Sequence, residues 1–230
     1  VQLTTLEQLI EARVRKRPVV LITYLENGGQ TLYFRDGTHT GAALADAERS
    51  LAVRALDSNQ CQLSESPVAF FQPFNPPLRL IIIGAVHITQ HLAAMAKLCD
   101  YQVIVVDPRR AFAAPDRFPE VELTTDWPDA AVTALAPDHR TAVVTLTHDP
   151  KLDDPALRVA LQSDAFYIGA LGSRRTQHAR RRRLAEHGCT DAQQARIHGP
   201  VGLDIGAETP AEIAVAILAQ MTGALRRGDH

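Results

Sequence analysis

Residues 80–89 read Leu80-Ile81-Ile82-Ile83-Gly84-Ala85-Val86-His87-Ile88-Thr89, a strand, a glycine turn and a helix start in succession. An unbroken apolar run ending in three isoleucines fits a strand covered on both faces, as in a parallel sheet. Gly84 then allows a tight turn, and a helical pattern follows over Ile88–Leu98. Val103–Val106, Ala142–Leu146 and Phe166–Ile168 are further short apolar runs. The stretches Asp129–Leu135, Asp154–Gln162 and Thr176–His187 between and after them read as helices. A last helix is signposted by Thr209 as cap, Pro210 at its first position and Glu212 at its third. This alternation predicts an α/β domain: a Rossmann-like, doubly wound parallel sheet with right-handed crossovers.

The preceding residues follow another pattern. Residues 4–14 suit an amphipathic helix, opened by Thr4 with Glu7 three positions on. Asn27-Gly28 between the β-branched runs Val19–Leu25 and Thr31–Arg35 signals a hairpin. Ala42–Leu56 reads as a helix and Ser66–Gln72 as a strand. Pro73, Pro76 and Pro77 mark residues 73–77 as a linker. The expected organisation is a small N-terminal α+β domain over residues 1–77 and a Rossmann-like domain over 78–230.

Composition narrows the function. With 24 Lys+Arg against 26 Asp+Glu, the net charge of -2 gives no basic excess for nucleic acid or an anionic membrane surface. Cys61, Cys99 and Cys189 form neither a disulfide framework nor a zinc-type pair, which points to a reducing cytoplasm. Cys99, ending an apolar helix, reads as core. No stretch reads as a membrane span or signal segment. The chain starts at Val1 and has Met only at 95 and 221, so both a trimmed start and a short native form fit the sequence.

In doubly wound sheets ligands bind beyond the carboxyl ends of the strands. Unusual residues follow all four expected strands. Gly84-Ala85-Val86-His87 keeps only the first glycine of a dinucleotide-binding turn, and Val86 stands where backbone normally approaches a pyrophosphate. The helix start can still attract an anion, and His87 reads either as a ligand contact or as a cap-region residue. Asp107, 23 residues beyond Gly84, occupies the place of a ribose-binding carboxylate. Arg109 and Arg110 behind it could grip a phosphate; the other reading is a solvated Asp–Arg turn. His148 and Asp149 suit acid–base work or phosphate binding, while Asp153 or Asp154 ahead of Pro155 reads as a helix cap. No spacing supports a metal site, and no catalytic set emerges.

Gly172-Ser173-Arg174-Arg175 is the most informative group. Ser173 suits an N-cap, yet arginines in a first helical turn oppose the helix dipole, a conflict that a bound anion removes. Arg180–Arg183 reads as a solvated face. The glycine-rich segment 199–207 is either a flap over the same crevice or an ordinary connection.

At Gly84-Ala85-Val86-His87, Asp107-Pro108-Arg109, Thr147-His148-Asp149, Tyr167 through Thr176 and Pro200 through Gly206, the chain resembles the XdhC/CoxI family over about residues 76–222. The resemblance implies an accessory chaperone that binds molybdenum cofactor, as molybdopterin or its dinucleotide form. It implies help with sulfuration of that cofactor and its insertion into a molybdenum hydroxylase such as xanthine dehydrogenase. Implied partners are the client hydroxylase and a cysteine desulfurase, and a two-fold homodimer is compatible with the sequence. The cofactor-binding set implied is Gly84, Ala85, Val86, His87, Asp107, Arg109, His148, Asp149, Gly172, Ser173, Arg174 and Arg175. Two departures stand out: Val86 replaces a more usual glycine, and residues 1–77 lack the glycine-rich, cysteine-containing segment of longer members. The competing readings are an NAD(P)-dependent oxidoreductase and a nucleotide-binding regulatory module.

Overall fold

The computed structural model describes residues 3–227 and forms two compact units, one ending at Pro76 and one beginning at Pro77. In the first unit, α1 (Leu3–Val14) precedes β1 (Val19–Tyr24), β2 (Gln30–Phe34) and β3 (His39–Thr40). Then follow α2 (Asp46–Ser58), β4 (Gln62–Glu65) and β5 (Val68–Phe74). The strands make an antiparallel sheet ordered β3-β2-β1-β5-β4. Its central strand alternates inward residues both ways. Val19 and Leu21 pack with Leu9 and Ala12 of α1, and Val20 and Ile22 with Ala52, Ala55 and Leu56 of α2. β5 continues through Phe74 because Pro73 and Phe74 still pair with β1. Two residues expected in the linker therefore belong to the sheet.

The second unit contains β6 (Leu78–Ile83), α3 (His87–Leu98), β7 (Tyr101–Val106), β8 (Glu122–Thr124) and α4 (Pro128–Leu135). It continues with β9 (Thr141–Thr145), α5 (Pro150–Leu161), β10 (Tyr167–Ala170), α6 (Arg174–Glu186) and α7 (Asp191–Ala195), and ends with β11 (Ile197–His198) and α8 (Pro210–Arg227). The sheet is parallel throughout and ordered β8-β7-β6-β9-β10-β11. Counted within this unit, that is the 3-2-1-4-5-6 order of doubly wound dinucleotide folds, with strand order reversing between β6 and β9.

The continuous apolar run that opens this domain is buried on both faces, as a parallel strand requires. Leu80 and Ile82 pack into the core formed with Leu92, Ala96, Ile217 and Met221 of α3 and α8. Ile81 and Ile83 pack into the opposite core with Val132, Leu157, Ala160 and Leu184 of α4, α5 and α6. β8 and β11 are too short, at 3 and 2 residues, to carry a readable pattern. Cys99 is not core: it is the exposed cap residue after α3, beside an exposed Leu98. Among the described residues no helix is long and apolar enough to cross a membrane.

Candidate functional site

The turns after β6, β7, β9 and β10 lie along one edge of the sheet, because these four strands are consecutive neighbours in a parallel array. Here the backbone itself is closely fitted. Gly84 has φ +110°, and a Cβ there would stand 2.7 Å from Cγ2 of Thr147 and 3.2 Å from its backbone nitrogen. The two turns flanking the switch point thus touch, which only a glycine permits. Gly172 (φ +134°) similarly leaves room for Thr176 in the first turn of α6.

The Gly84–Ala85 turn is fixed from several sides. Gly84 N–H donates to Val106 O (2.8 Å), and the Thr89 hydroxyl donates to Gly84 O. Ala85 N–H donates to Asp107 Oδ2 (2.8 Å), and Arg117 Nη1 donates to both Ala85 O (3.0 Å) and Phe112 O (2.7 Å). Val86 is the N-cap of α3 and supplies no side-chain cap hydrogen bond. The first amides of α3 therefore gain no side-chain acceptor from their cap, leaving the positive end of the helix available to an anion. Val86 is half-buried and His87 exposed at this start.

Asp107 is completely buried, and its two oxygens take four hydrogen bonds. Oδ1 accepts from Arg109 N–H (3.0 Å) and Nε (2.9 Å), and Oδ2 from Ala85 N–H and Arg109 Nη2 (2.8 Å). Burial alone would push this carboxyl up. The Arg109 side chain and the two backbone N–H groups outweigh burial and hold it below the usual carboxylate range. The expected sugar-binding carboxylate is thus already enclosed by the protein's own donors. Arg109 in turn lies over the Phe112 ring, 4.5 Å from its centroid.

On the other side of the switch point, His148 is exposed with φ +61°, and Asp149 caps α5 by accepting from Lys151 N–H (2.9 Å). This corrects the expected cap at Asp153 or Asp154. The helix starts four residues earlier because Pro150 takes its first position, and Pro155 lies inside it. Asp153 and Asp154 instead point inward to α6. Thr147 donates through its hydroxyl (2.7 Å) and backbone N–H (3.4 Å) to Asp153 Oδ1. Arg180 Nη2 reaches Asp153 Oδ2 (3.4 Å) and Leu171 O (3.0 Å), while its Nη1 donates to Gln177 Oε1. Gln177 Nε2 closes the chain on Ala170 O (2.8 Å) and Gly172 O (3.3 Å). Arg183 pairs with Asp154 in bidentate fashion.

The solvated face expected at Arg180–Arg183 is accordingly split: Arg180 is buried and Arg183 half-buried, while Arg181 and Arg182 are exposed. Sequence reasoning also missed Arg117, Thr147 and Gln177 as shapers of these turns. A signal existed for α6, since Gln177, Arg180 and Leu184 recur at the spacing of one face and Leu184 marks that face as inward. Ser173 caps α6, its Oγ accepting from Thr176 N–H (3.3 Å), and Arg174 and Arg175 follow, exposed. Neither makes an ion pair or side-chain hydrogen bond among the described residues.

A parallel 3-2-1-4-5-6 sheet with glycine turns and helix starts gathered at its carboxyl edge defines a Rossmann-type protein. The profile of the XdhC Rossmann domain matches residues 80–221, and the chain belongs to the XdhC family. Among curated relatives, a protein of Bacillus subtilis (strain 168) named as a probable xanthine dehydrogenase subunit is 29% identical over 201 residues, 85% of this chain and 58% of that protein. The molybdenum cofactor insertion chaperone PaoD of Escherichia coli (strain K12) is 30% identical over 148 residues, 64% of this chain and 40% of PaoD. The chain thus spans between about a quarter and three fifths of the curated relatives it matches. A crystal structure described as a xanthine dehydrogenase from Bacillus halodurans superposes with a TM-score of 0.69 at 24% identity, covering 99% of this chain and 65% of that one. This likeness supports the fold.

Proposed function

We propose that this chain is an accessory chaperone that binds molybdenum cofactor and assists its sulfuration and insertion into a hydroxylase of the xanthine dehydrogenase type. Family membership and the name of PaoD support the cofactor-insertion part of this reading. The observation that carries it to residues is the start of α6, where Ser173 caps a helix whose next two side chains are exposed arginines with no ion pair among the described residues. Positive side chains there oppose the helix dipole, and a phosphate satisfies both the arginines and the free amides.

The donor set fits a phosphate-bearing pterin. The α6 start offers two guanidinium groups, and the α3 start at Val86 and His87 offers a second positive helix end without a side-chain cap. When bound, the cofactor supplies the molybdenum centre destined for the client; these residues hold and orient its phosphate end. His148 and Asp149 lie in the turn after β9, between the turns that lead into the two helix starts. Asp107 acts indirectly in this scheme. It holds Arg109 against Phe112 and fixes the Gly84–Ala85 turn, rather than taking a sugar hydroxyl. The enclosure of Asp107 and the branched Val86 also argue against the NAD(P)-dependent oxidoreductase. Sulfuration would proceed with a cysteine desulfurase as sulfur donor and the hydroxylase as recipient.

The test is uptake of molybdenum cofactor by the purified protein, read by mass spectrometry of the released pterin. Wild type should retain it, and Arg174→Ala with Arg175→Ala should lose most of it without a change in melting temperature. Absence of uptake by wild type overturns the proposal.

A further inference from the structure

Helix α6 divides its charge between two sides. Gln177, Arg180 and Leu184 turn inward, whereas Arg174, Arg175, His178, Arg181 and Arg182 are all exposed. At 3.6 residues per turn these five fall within an arc of about 120°, on one side of a helix about 20 Å long. The four exposed arginines make no ion pair or side-chain hydrogen bond among the described residues, and Glu186 is the only carboxylate on the helix. The chain's net charge is nevertheless -2, so everything outside this helix is acidic on balance.

We propose that this face of α6 docks an acidic patch on a partner protein, the one that receives what the Ser173–Arg175 site carries. The second half rests on the cofactor-delivery reading above. Two features favour a protein over a nucleic acid or an anionic bilayer. The acidic remainder of the chain repels an extended polyanion, so attraction is confined to one short strip rather than a continuous track. The face is also continuous with the site, since Arg174 and Arg175 belong to both. A partner engaging Arg181 and Arg182 therefore lies at the start of α6, beside the bound anion. Exposed charges of this kind chiefly steer encounter and set its salt dependence.

Association of the full chain with a demolybdo xanthine dehydrogenase, followed by surface plasmon resonance over a salt series, tests this. Wild-type association should slow steeply as salt rises. Arg181→Glu with Arg182→Glu should cut the low-salt association rate by roughly tenfold or more and flatten the salt slope. Melting temperature and cofactor uptake should not change. Arg49→Glu with Arg54→Glu, an equal charge change on α2, should leave the rate near wild type. Equal losses from both double variants, or no effect of either, overturn the proposal. So does tighter binding of a DNA duplex or of anionic phosphatidylglycerol vesicles through the same two arginines. Failure of cofactor uptake with arginine-dependent association intact would sink the delivery reading and leave the docking face standing.

Discussion

Arg180 of α6 and Asp153 of α5 meet beneath the carboxyl edge of the sheet, Nη2 to Oδ2 at 3.4 Å, with 3% and 1% of their side chains exposed. Each also holds a different turn of the candidate site. Asp153 holds Thr147, next to Gly84, and Arg180 holds Leu171, next to Gly172. One buried pair therefore sets the spacing of the turns after β9 and β10. Charges so enclosed do not stabilise by mere presence, since desolvation offsets most of their attraction. Their effect here is to fix geometry.

Removing one partner should cost far more than removing both. Arg180→Met leaves Asp153 buried beside Asp154, and we expect a loss of about 3–5 kcal/mol at neutral pH. Arg180→Met with Asp153→Leu should recover much of that. The single variant should also be pH-sensitive. Burial already pushes the Asp153 carboxyl up, and loss of Arg180 pushes it further. A raised folded value favours the protonated form, so the variant should lose stability as pH rises from about 4 to that folded value. Urea unfolding across pH measures both effects; a pH-independent deficit would argue against the charge account.

Much of this fold could be read from the chain because its signals are local. The run at Leu80–Ile83, the glycine after it and the cap at Thr209 each declare a conformation without reference to distant residues. The site was legible only as positions. Strand ends placed Asp107 and Ser173 in one region, but periodicity does not reveal which acceptor a carboxylate finds. Asp107 reads like a ribose-binding residue, and nothing in the sequence reveals that Ala85 and Arg109 donate to its oxygens. Asp153 and Asp154 read as caps because carboxylates before a proline commonly are caps, and their partners lie some 30 residues away on α6. Cys99 looked interior because helix phase at a terminus is set by the last turn, not by the helix's average composition.

Asp107→Asn should make the domain less stable and less acid-sensitive at once. The wild-type carboxyl is held below its unfolded value, so its contribution is full above about pH 4 and fades as pH falls toward the folded value. The variant keeps the shape but weakens the bonds from Arg109, and a loss of about 1–3 kcal/mol is expected near neutrality. The gap between wild type and variant should narrow on acidification. Melting temperatures at pH 7 and pH 3 give the comparison directly.

Gly84→Ala tests the contact across the switch point. The new methyl group meets Thr147 Cγ2 at 2.7 Å, and the alanine backbone must adopt φ +110°. The backbone strain alone is worth about 1–3 kcal/mol. Adding Thr147→Ser removes the collision with Cγ2 and keeps the hydroxyl that donates to Asp153, so it should restore part of the stability but not the portion due to φ and to the 3.2 Å approach to the Thr147 backbone nitrogen. Full restoration in denaturant unfolding would show that backbone strain is negligible here.

Tyr167→Phe probes how the segment after β11 is tied down. The buried phenol donates to Gln220 Oε1 (2.6 Å), the same oxygen that accepts Gly202 N–H (2.8 Å), and its ring stacks on His198 at 4.6 Å. Phenylalanine keeps the stack and leaves Gln220 with its other donor, so no buried group is orphaned by the change. The expected cost is about 1 kcal/mol, the net worth of one neutral hydrogen bond. Gln220→Leu removes the acceptor that both donors share and leaves the Gly202 amide only the phenol oxygen, so it should cost more than Tyr167→Phe, about 2 kcal/mol. Hydrogen exchange should localise the difference, with the Gly202 amide accelerated in Gln220→Leu and nearly unchanged in Tyr167→Phe. Equal acceleration in both variants would mean that the segment is held by the tyrosine rather than by the shared oxygen.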